Sequence, residues 1–310
     1  MVSDATRVAE TPAATTAAGV RTAAWRLVRN TAVAAFRYRV TGLAAEAAFF
    51  ALLSLPPLVL GLIGTMGHFR GALGEPTVNE IRAWMIEQAR TVLTGPAVTA
   101  VVEPLIDDVI RGGGVDIVSL SFLISLWAGS RALNVYVDTI TIAYGLSGIR
   151  GVIRTRLRAF CLYLVGLLMM LVVIPLLVAG PTLVREAVPG SGEVVALLYW
   201  PVVVTVSILF LATLYHLSVP ARTAWWREVP GAVIALVIWL LGSLLLRVYL
   251  AGSLSGVSVY GSLAAAIAIL GWLYVAALAV LIGAALNAEI DKMWPSAGTA
   301  RARAVRSMAT

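Results

Sequence analysis

The hydrophobic pattern of the chain is dominated by long apolar segments, separated by polar connections rich in arginine or in acidic residues. A helix that crosses the hydrocarbon core of a bilayer, about 30 Å thick, needs about 20 apolar residues. Segments of this length lie at residues 44–66, 117–142, 159–180, 194–217, 231–251 and 260–284. The pattern therefore predicts an all-α integral membrane protein with about six transmembrane helices.

Two segments outside these spans have the spacing of amphipathic helices. Between residues 20 and 40, Trp25, Val28 and Phe36 lie at helical spacing among arginines, which is typical of a helix at the membrane interface. The connection at 67–116 is acidic, and its apolar positions at 98, 101, 102, 105 and 109 repeat at helical intervals. We expect this connection to form a small helical cap on the extracytoplasmic side.

The chain divides into three parts on this basis. Residues 1–20 form an N-terminal tail, residues 21–290 form the membrane domain, and residues 291–310 form a basic tail. We expect the Ala- and Thr-rich segment 1–20 and the end of the chain at 296–310 to be disordered.

The distribution of basic residues predicts the orientation. Of the 23 Lys and Arg residues, six precede the first span, four and two follow spans two and four, and four lie in the C-terminal tail. The opposite connections carry five. The positive-inside rule therefore places both termini in the cytoplasm, and we expect a multi-pass protein of the plasma (inner) membrane. The net charge of +7 is then a topology signal, and we expect no nucleic acid partner.

The composition agrees with a chain that lipid covers. Sixty per cent of the residues are hydrophobic and 13% are charged, whereas a soluble domain is about half apolar and about a quarter charged. A single cysteine, Cys161, excludes an internal disulfide and a multi-cysteine metal site. The sequence holds no phosphate-binding glycine loop, metal-ligand cluster or nucleophile–base pattern, so we expect no enzyme activity and no cofactor or metal.

Span two carries a line of polar and aromatic residues within the membrane. Trp127, Arg131, Asn134 and Asp138 follow one another at steps of four, three and four residues, which places them on one face of a helix. A charge in the bilayer costs several kcal/mol, so we expect this face to look into the bundle. Arg131 falls near the bilayer midplane, and Asp138 lies about two turns nearer the cytoplasm.

Span one has an irregularity at a similar depth, at Ser54, Pro56 and Pro57. Each proline lacks an N–H and crowds the carbonyl four residues before it, which predicts a break in the helix. Two explanations remain open. Arg131 is a structural clamp that donates to the freed carbonyls, or the broken helix and Arg131 line a transport site, as broken helices do in transporters.

Glu46 lies in the first turn of span one, at a depth similar to that of Asp138. Both carboxylates are placed to pair with the arginines between residues 150 and 158. The alternative is that Glu46 is a proton-coupling carboxylate.

The sequence also resembles a known family. The stretch AAEAAFFALLSLPPLVLG at 44–61 is similar to the AxAFxxLLSLxP signature of the YihY/BrkB membrane proteins, and SLWAGSRALNVYVDTITIAYG at 125–145 is similar to their second-span motif. The Tyr260–Gly261 turn, GWLY at 271–274 and GAALNA at 283–288 extend the resemblance, which covers residues 25–290. It implies a six-helix inner-membrane protein with both termini in the cytoplasm. The family carries an old ribonuclease label, and other members are linked to envelope integrity, serum resistance or lipid export.

Two functions follow as hypotheses. The first is a transporter or flippase-like protein for an anionic amphiphile or envelope lipid, with its polar site at Arg131, Asn134, Asp138, Trp127, Ser54, Pro56, Pro57 and Glu46. The second is a non-catalytic envelope scaffold that packs with lipids or partner proteins. Membrane lipids are the expected partners in both cases, and a homo-oligomer is compatible with either.

The orientation is testable by cysteine labelling in intact cells, after Cys161 is replaced by alanine. A Gln88→Cys variant should react with a membrane-impermeant maleimide, because the connection at 67–116 is expected outside the cell. Ser307→Cys is the matched control and should react only after the membrane is permeabilised. The reverse pattern of labelling would overturn the orientation.

Overall fold

The computed structural model of the protein describes residues 17–68, 74–92, 98–99, 103–110, 115–149, 151–187, 192–221, 223–254 and 263–309. All regular elements within these ranges are helical, which confirms the all-α prediction. They are α1 (Ala17–Arg37), α2 (Val40–His68), α3 (Glu75–Val92), α4 (Glu103–Ile110), α5 (Val115–Ala143), α6 (Val152–Ala187), α7 (Gly192–Ser218), a 3₁₀ helix (Trp225–Glu228), α8 (Val229–Leu254), α9 (Leu263–Met293) and α10 (Ala297–Ala309).

Each predicted span falls on one helix, in the order α2, α5, α6, α7, α8 and α9. Among the described residues, three stretches are long and apolar enough to cross a membrane, namely Tyr199–Ser218, Trp225–Tyr249 and Ala266–Met293. A fourth is added if α1 and the described apolar part of α2 count as one bent span. The number of six spans stays a prediction.

The chain bends by 62° between α1 and α2. Arg39 lies at this bend with φ of 52°, in the left-handed region, and its N–H donates to the carbonyl of Phe36 at 3.0 Å, which closes the last turn of α1. On α1, Trp25 and Phe36 are exposed whereas Ala34 is buried against the bundle. An outward apolar face beside arginines is the arrangement expected of an interfacial helix.

The predicted cap corresponds to α3 and α4. Arg82 of α3 donates two hydrogen bonds to Asp107 of α4, at 2.5 and 2.9 Å, and Arg90 contacts Glu103 at 3.2 Å. Val78 and Ile106 are buried, and α4 packs against α2. The cap is therefore held together by ion pairs between its helices and is fixed to the first long helix.

The predicted break at Pro56 and Pro57 is wrong, because α2 continues as a helix from Val40 to His68. Helix-breaking residues are tolerated in membrane helices where neighbouring helices support the backbone. Among the described residues, α2 packs extensively against α5, which is the kind of support that a membrane helix with two prolines requires. The bend of the first helical unit lies at Tyr38 and Arg39 instead.

The expected disorder at 296–310 is also wrong, since α10 covers Ala297–Ala309. Ser296 caps this helix, because its hydroxyl oxygen accepts a hydrogen bond from the N–H of Thr299 at 3.1 Å. Arg303 then ties α10 to Asp291 of α9 at 2.6 Å. Residues 1–16 of the predicted N-terminal tail and the Tyr260–Gly261 turn lie outside the described residues.

The connections that carry most of the basic residues meet at one end of the bundle, which we call the basic end. It comprises the end of α1, the turn after α5, the 3₁₀ helix and α10. Lys292 contacts the hydroxyl of Tyr38 at 3.4 Å, the hydroxyl of Tyr144 donates to Glu228 at 2.7 Å, and Arg303 donates to the carbonyl of Tyr144 at 3.1 Å. These contacts place the two terminal helices on the same side of the bundle.

The helices α8 and α9 approach each other closely at this end. A Cβ added at Gly231 of α8 would collide with the carbonyl oxygen of Gly283 in α9, and the reverse is equally true. Asn287 of α9 accepts a hydrogen bond from the N–H of Gly231 at 2.8 Å and donates to the carbonyl of Glu228 at 2.9 Å. Asn287 of α9 therefore caps the first turn of α8. Neither lipid nor an apolar side chain could make these hydrogen bonds in its place.

This close approach predicts that Gly283→Ala destabilises the fold, because the added methyl group must push two backbones apart. Overpacking of this kind costs about 1–3 kcal/mol. Gly166→Ala in α6 is the matched control, since nothing lies within 4 Å of its added Cβ. Thermal melting of the purified proteins in detergent is the measurement. Equal melting temperatures for the two variants would contradict the close approach.

Candidate functional site

A cleft of about 630 Å³ lies between α5, the turn that follows it and the start of α6; we call it the α5–α6 cleft. It runs from Arg131, near the middle of α5, towards the basic end. Polar side chains lie at intervals along it, between apolar surface. The lining residues are Arg131, Asn134, Asp138, Thr141, Ile142, Ser147, Gly148, Val152, Thr155 and Arg156.

The polar wall of the cleft follows from helical spacing. Arg131, Asn134, Asp138 and Thr141 are separated by three, four and three residues, so they share one face of α5. That face lines the cleft. Thr141 continues the same spacing, so the helical periodicity of the sequence already points to it.

The end of the cleft away from Arg131 depends on how α5 ends. The N–H of Gly145 donates to the carbonyl of Ile142 at 2.9 Å, and the N–H of Leu146 donates to that of Thr141 at 3.0 Å. This pair of bonds, with Gly145 at φ of 71°, is a Schellman motif, which stops the helix and reverses the chain towards α6. Gly148 has φ of 85° and lines the cleft, in a conformation that side chains rarely adopt.

Arg131 pairs with Glu46 of α2, with 3.4 Å between Nη2 and Oε1. The expected donation from Arg131 to the carbonyls of Leu52 and Leu53 is therefore not the contact observed. These carbonyls lie six or seven residues beyond Glu46, which is about 9–10 Å along α2. The side chains of Arg131 and Glu46 are 36% and 39% exposed, so the pair is not sealed within the bundle, and its Arg131 side lines the cleft.

Two aromatic rings flank this ion pair. The guanidinium of Arg131 lies 5.5 Å from the ring centre of Phe50, a cation–π contact that the sequence did not reveal because it depends on the rotation of α2 against α5. Trp127 meets Phe50 edge to face at 6.3 Å, but it is 56% exposed and does not line the cleft. Trp127 thus lies beside the site on the outer surface and not on an inward face.

Asp138 is held by Asn134, whose amide donates to a carboxylate oxygen at 2.6 Å. Arg156 lines the facing wall, on α6. Glu46 thus pairs with Arg131 and not with a described arginine of 150–158, whereas Asp138 accepts from Asn134 and also interacts electrostatically with Arg156. Arg150 lies outside the described residues.

The predicted site residues on α2 are not among those that line the cleft. Ser54 is buried and donates to the carbonyl of Ala51 at 2.7 Å, inside its own helix. Pro57 is half-buried, and the side chain of Pro56 lies outside the described residues. The cleft is therefore formed by α5, the turn after it and α6, and Glu46 of α2 lies beside it as the partner of Arg131.

A second group of polar residues lies at the basic end. The Asp291 carboxylate is buried and accepts hydrogen bonds from the side chains of Arg303 at 2.6 Å and Thr299 at 3.0 Å and from the N–H of Ser296 at 3.2 Å. Arg227 adds an ion pair at 3.6 Å. Both oxygens of this carboxylate accept hydrogen bonds, which indicates a structural role.

Glu228 and Tyr144 complete this group. The Tyr144 hydroxyl donates to one carboxylate oxygen of Glu228 at 2.7 Å, and Thr223 donates to the other at 3.2 Å. Burial, with the adjacent Glu228 carboxylate, raises the pKa of the Tyr144 phenol, so that it stays protonated and keeps its role as a donor. Among the described residues, no three His, Cys, Asp or Glu side chains are arranged to hold a metal ion.

Comparison with known proteins agrees with the resemblance of the sequence motifs. The model of the family described as Virulence factor BrkB matches residues 34–307. A protein of Bacillus subtilis (strain 168) named as a ribonuclease-like protein, YfkH, is 25% identical over 254 residues, which cover 80% of this chain and 89% of that protein. No solved structure matches the chain. Because the family match covers most of the sequence, the chain belongs to the BrkB family of membrane proteins.

Proposed function

We propose that this protein is a transporter or flippase-like protein of the cell envelope that moves an anionic amphiphile along the α5–α6 cleft. The observation that carries the proposal is the half-exposed guanidinium of Arg131 at the inner end of a polar cleft. An ionisable group at this depth in a bilayer is costly, and such residues commonly mark the path of a substrate or an ion.

The donors of Arg131 suit an anionic headgroup. A guanidinium carries five N–H donors, and the ion pair with Glu46 engages one nitrogen at 3.4 Å. The planar fork of donors can meet a phosphate or a carboxylate at two points. Asn134, Thr141 and Thr155 supply further polar groups along the cleft towards the basic end.

The surface beside the cleft suits the apolar part of such a molecule. Val152, Ile153 and Leu157 lie at the start of α6, next to Arg156, and the first two are 82% and 83% exposed. A headgroup in the cleft and an acyl chain along this surface would both lie in suitable surroundings. A small inorganic anion would make no use of the apolar surface, so an amphiphile is the better fit.

The orientation is part of the proposal. We place the basic end in the cytoplasm, because positively charged segments remain on that side, and we assign the protein to the plasma membrane. The cleft then opens to the cytoplasm, and Arg131 lies at its membrane-embedded end.

We also propose that the role is not enzymatic. The Bacillus subtilis relative is named as ribonuclease-like, and that name belongs to that protein. In the cleft described here, Arg131 holds one carboxylate and Asn134 holds the other, an arrangement that suits binding better than proton transfer to RNA.

The alternative is a non-catalytic scaffold of the envelope. The tight contact of Gly231 and Gly283 favours it, because rigid packing at the basic end is what a scaffold requires. The two functions differ in what a change at Arg131 does, since a scaffold has no need of a two-point anion contact.

The deciding experiment uses the full-length protein in phosphatidylcholine vesicles that contain fluorescent phosphatidylglycerol. Arg131→Lys keeps the charge but loses the two-point contact, so binding and movement of the labelled lipid should fall about tenfold or more. That factor corresponds to the loss of one charge-assisted hydrogen bond, about 1.5–3 kcal/mol.

The matched control is Arg154→Lys, an exposed arginine on α6 that does not line the cleft. It should bind and move the labelled lipid as the wild type does, at the same folded fraction. If wild-type protein neither binds nor moves the lipid, transport is rejected and the scaffold takes its place.

A further inference from the structure

The charges around the α5–α6 cleft balance one another. Arg131 and Arg156 carry two positive charges, and Glu46 and Asp138 carry two negative charges. The four groups act on one another, since Asp138 interacts electrostatically with Arg131, Arg156 and Glu46. The net charge of these four groups is therefore close to zero. A site that attracts an anion by charge alone would carry a net positive charge.

An anion at Arg131 would disturb this balance in two ways. It adds one negative charge beside Glu46, and it takes the guanidinium away from the Glu46 carboxylate. Glu46 then lies next to the bound anion without its cation, and a proton removes the repulsion between the two negative charges. Restoring the charge balance requires one positive charge for each anion bound.

We propose that each anion bound at Arg131 enters the cleft together with one proton, which Glu46 takes up as its ion pair with Arg131 breaks. The inference rests on the proposed function and adds a coupling ion to it. The proton converts the Glu46 carboxylate into a carboxylic acid, while the anion replaces it as the partner of Arg131. When the anion leaves, Glu46 releases the proton and pairs with Arg131 again, so charge and protons balance over the cycle.

The contacts single out Glu46 rather than Asp138 as the proton acceptor. Asp138 accepts from the amide of Asn134 at 2.6 Å, a partner that an anion at Arg131 does not remove. Glu46 contacts Arg131 at 3.4 Å, and this is the contact that the anion replaces. Its side chain is 39% exposed, so a proton can reach it.

The other charged groups near α2 have partners of their own or point outwards. Glu289 and Lys292 of α9 form an ion pair at 2.6 Å, and Lys292 also reaches the hydroxyl of Tyr38. Arg37 and Arg39 at the bend are exposed. On the side of the cap, α4 carries Glu103 and Asp107, which are paired with Arg90 and Arg82.

The test measures lipid movement and proton movement together in phosphatidylcholine vesicles with fluorescent phosphatidylglycerol and an internal pH dye. With wild-type protein, lowering the pH by one unit should raise the rate of lipid movement by up to about tenfold, as one proton per anion requires. The dye should report acidification in step with the lipid. In Glu46→Gln, whose amide imitates the protonated acid, movement should continue without pH dependence and without protons.

Three further variants make the result specific. Glu46→Asp retains a carboxylate and should keep the pH dependence, which separates loss of the proton site from misfolding. Asp138→Asn should also keep it, because Asp138 is not the acceptor. Glu87→Gln in the cap, with its side chain 69% exposed, is the matched surface control and should behave as wild type.

The outcomes separate the inference from the function on which it rests. Lipid movement that is independent of pH in the wild type rejects proton coupling and leaves transport standing. Retained pH dependence in Glu46→Gln, or its loss in Asp138→Asn alone, rejects Glu46 as the acceptor. If wild-type protein moves no lipid at any pH, transport and proton coupling are rejected together.

Discussion

The side-chain amide of Asn287 connects the parts of the structure that position the cleft. It accepts from the N–H of Gly231, which belongs to the first turn of α8, where N–H groups have no carbonyl partner within the helix, and it donates to the carbonyl of Glu228. Glu228 in turn accepts from Tyr144, the residue directly after α5. The position of α8 against α9 is therefore tied to the residue that follows α5. Because the turn after α5 lines one end of the cleft, a contact between two helices outside the cleft supports the candidate site.

Two carboxylates show how differently this fold treats ion pairs. Asp291 of α9 is buried and has partners from α10, the 3₁₀ helix and the segment between α9 and α10. Removing one partner would leave a charge buried and poorly paired, which is strongly destabilising. Glu46 has one long contact in a half-exposed position, and pairs of that kind contribute little to stability. The Arg131–Glu46 pair can thus break at low cost, as an exchangeable binding site requires.

The sequence was sufficient for features that depend on one helix at a time. The apolar runs locate six long helices, and the spacing of Arg131, Asn134 and Asp138 places them on one face. It was not sufficient for contacts between helices. Glu46 and Arg131 lie 85 residues apart, and their meeting depends on the register of α2 against α5. Packing of that kind also overrides the effect of Pro56 and Pro57, and the site that holds α10 exists only once several elements have come together at Asp291.

The continuity of α2 changes the reason for proposing transport. A broken helix at the midplane would have suggested a site enclosed within the bundle, exposed to each side in turn. The helix is continuous, and the polar groups instead line a cleft beside exposed apolar residues at the start of α6. A path of this form needs no enclosed chamber, because a headgroup can follow the polar wall while its acyl chain stays in lipid. The hydrocarbon chain then stays in its usual surroundings at no free-energy cost. The cost that remains is that of the charged headgroup, whose charge Arg131 would balance once a proton has neutralised Glu46.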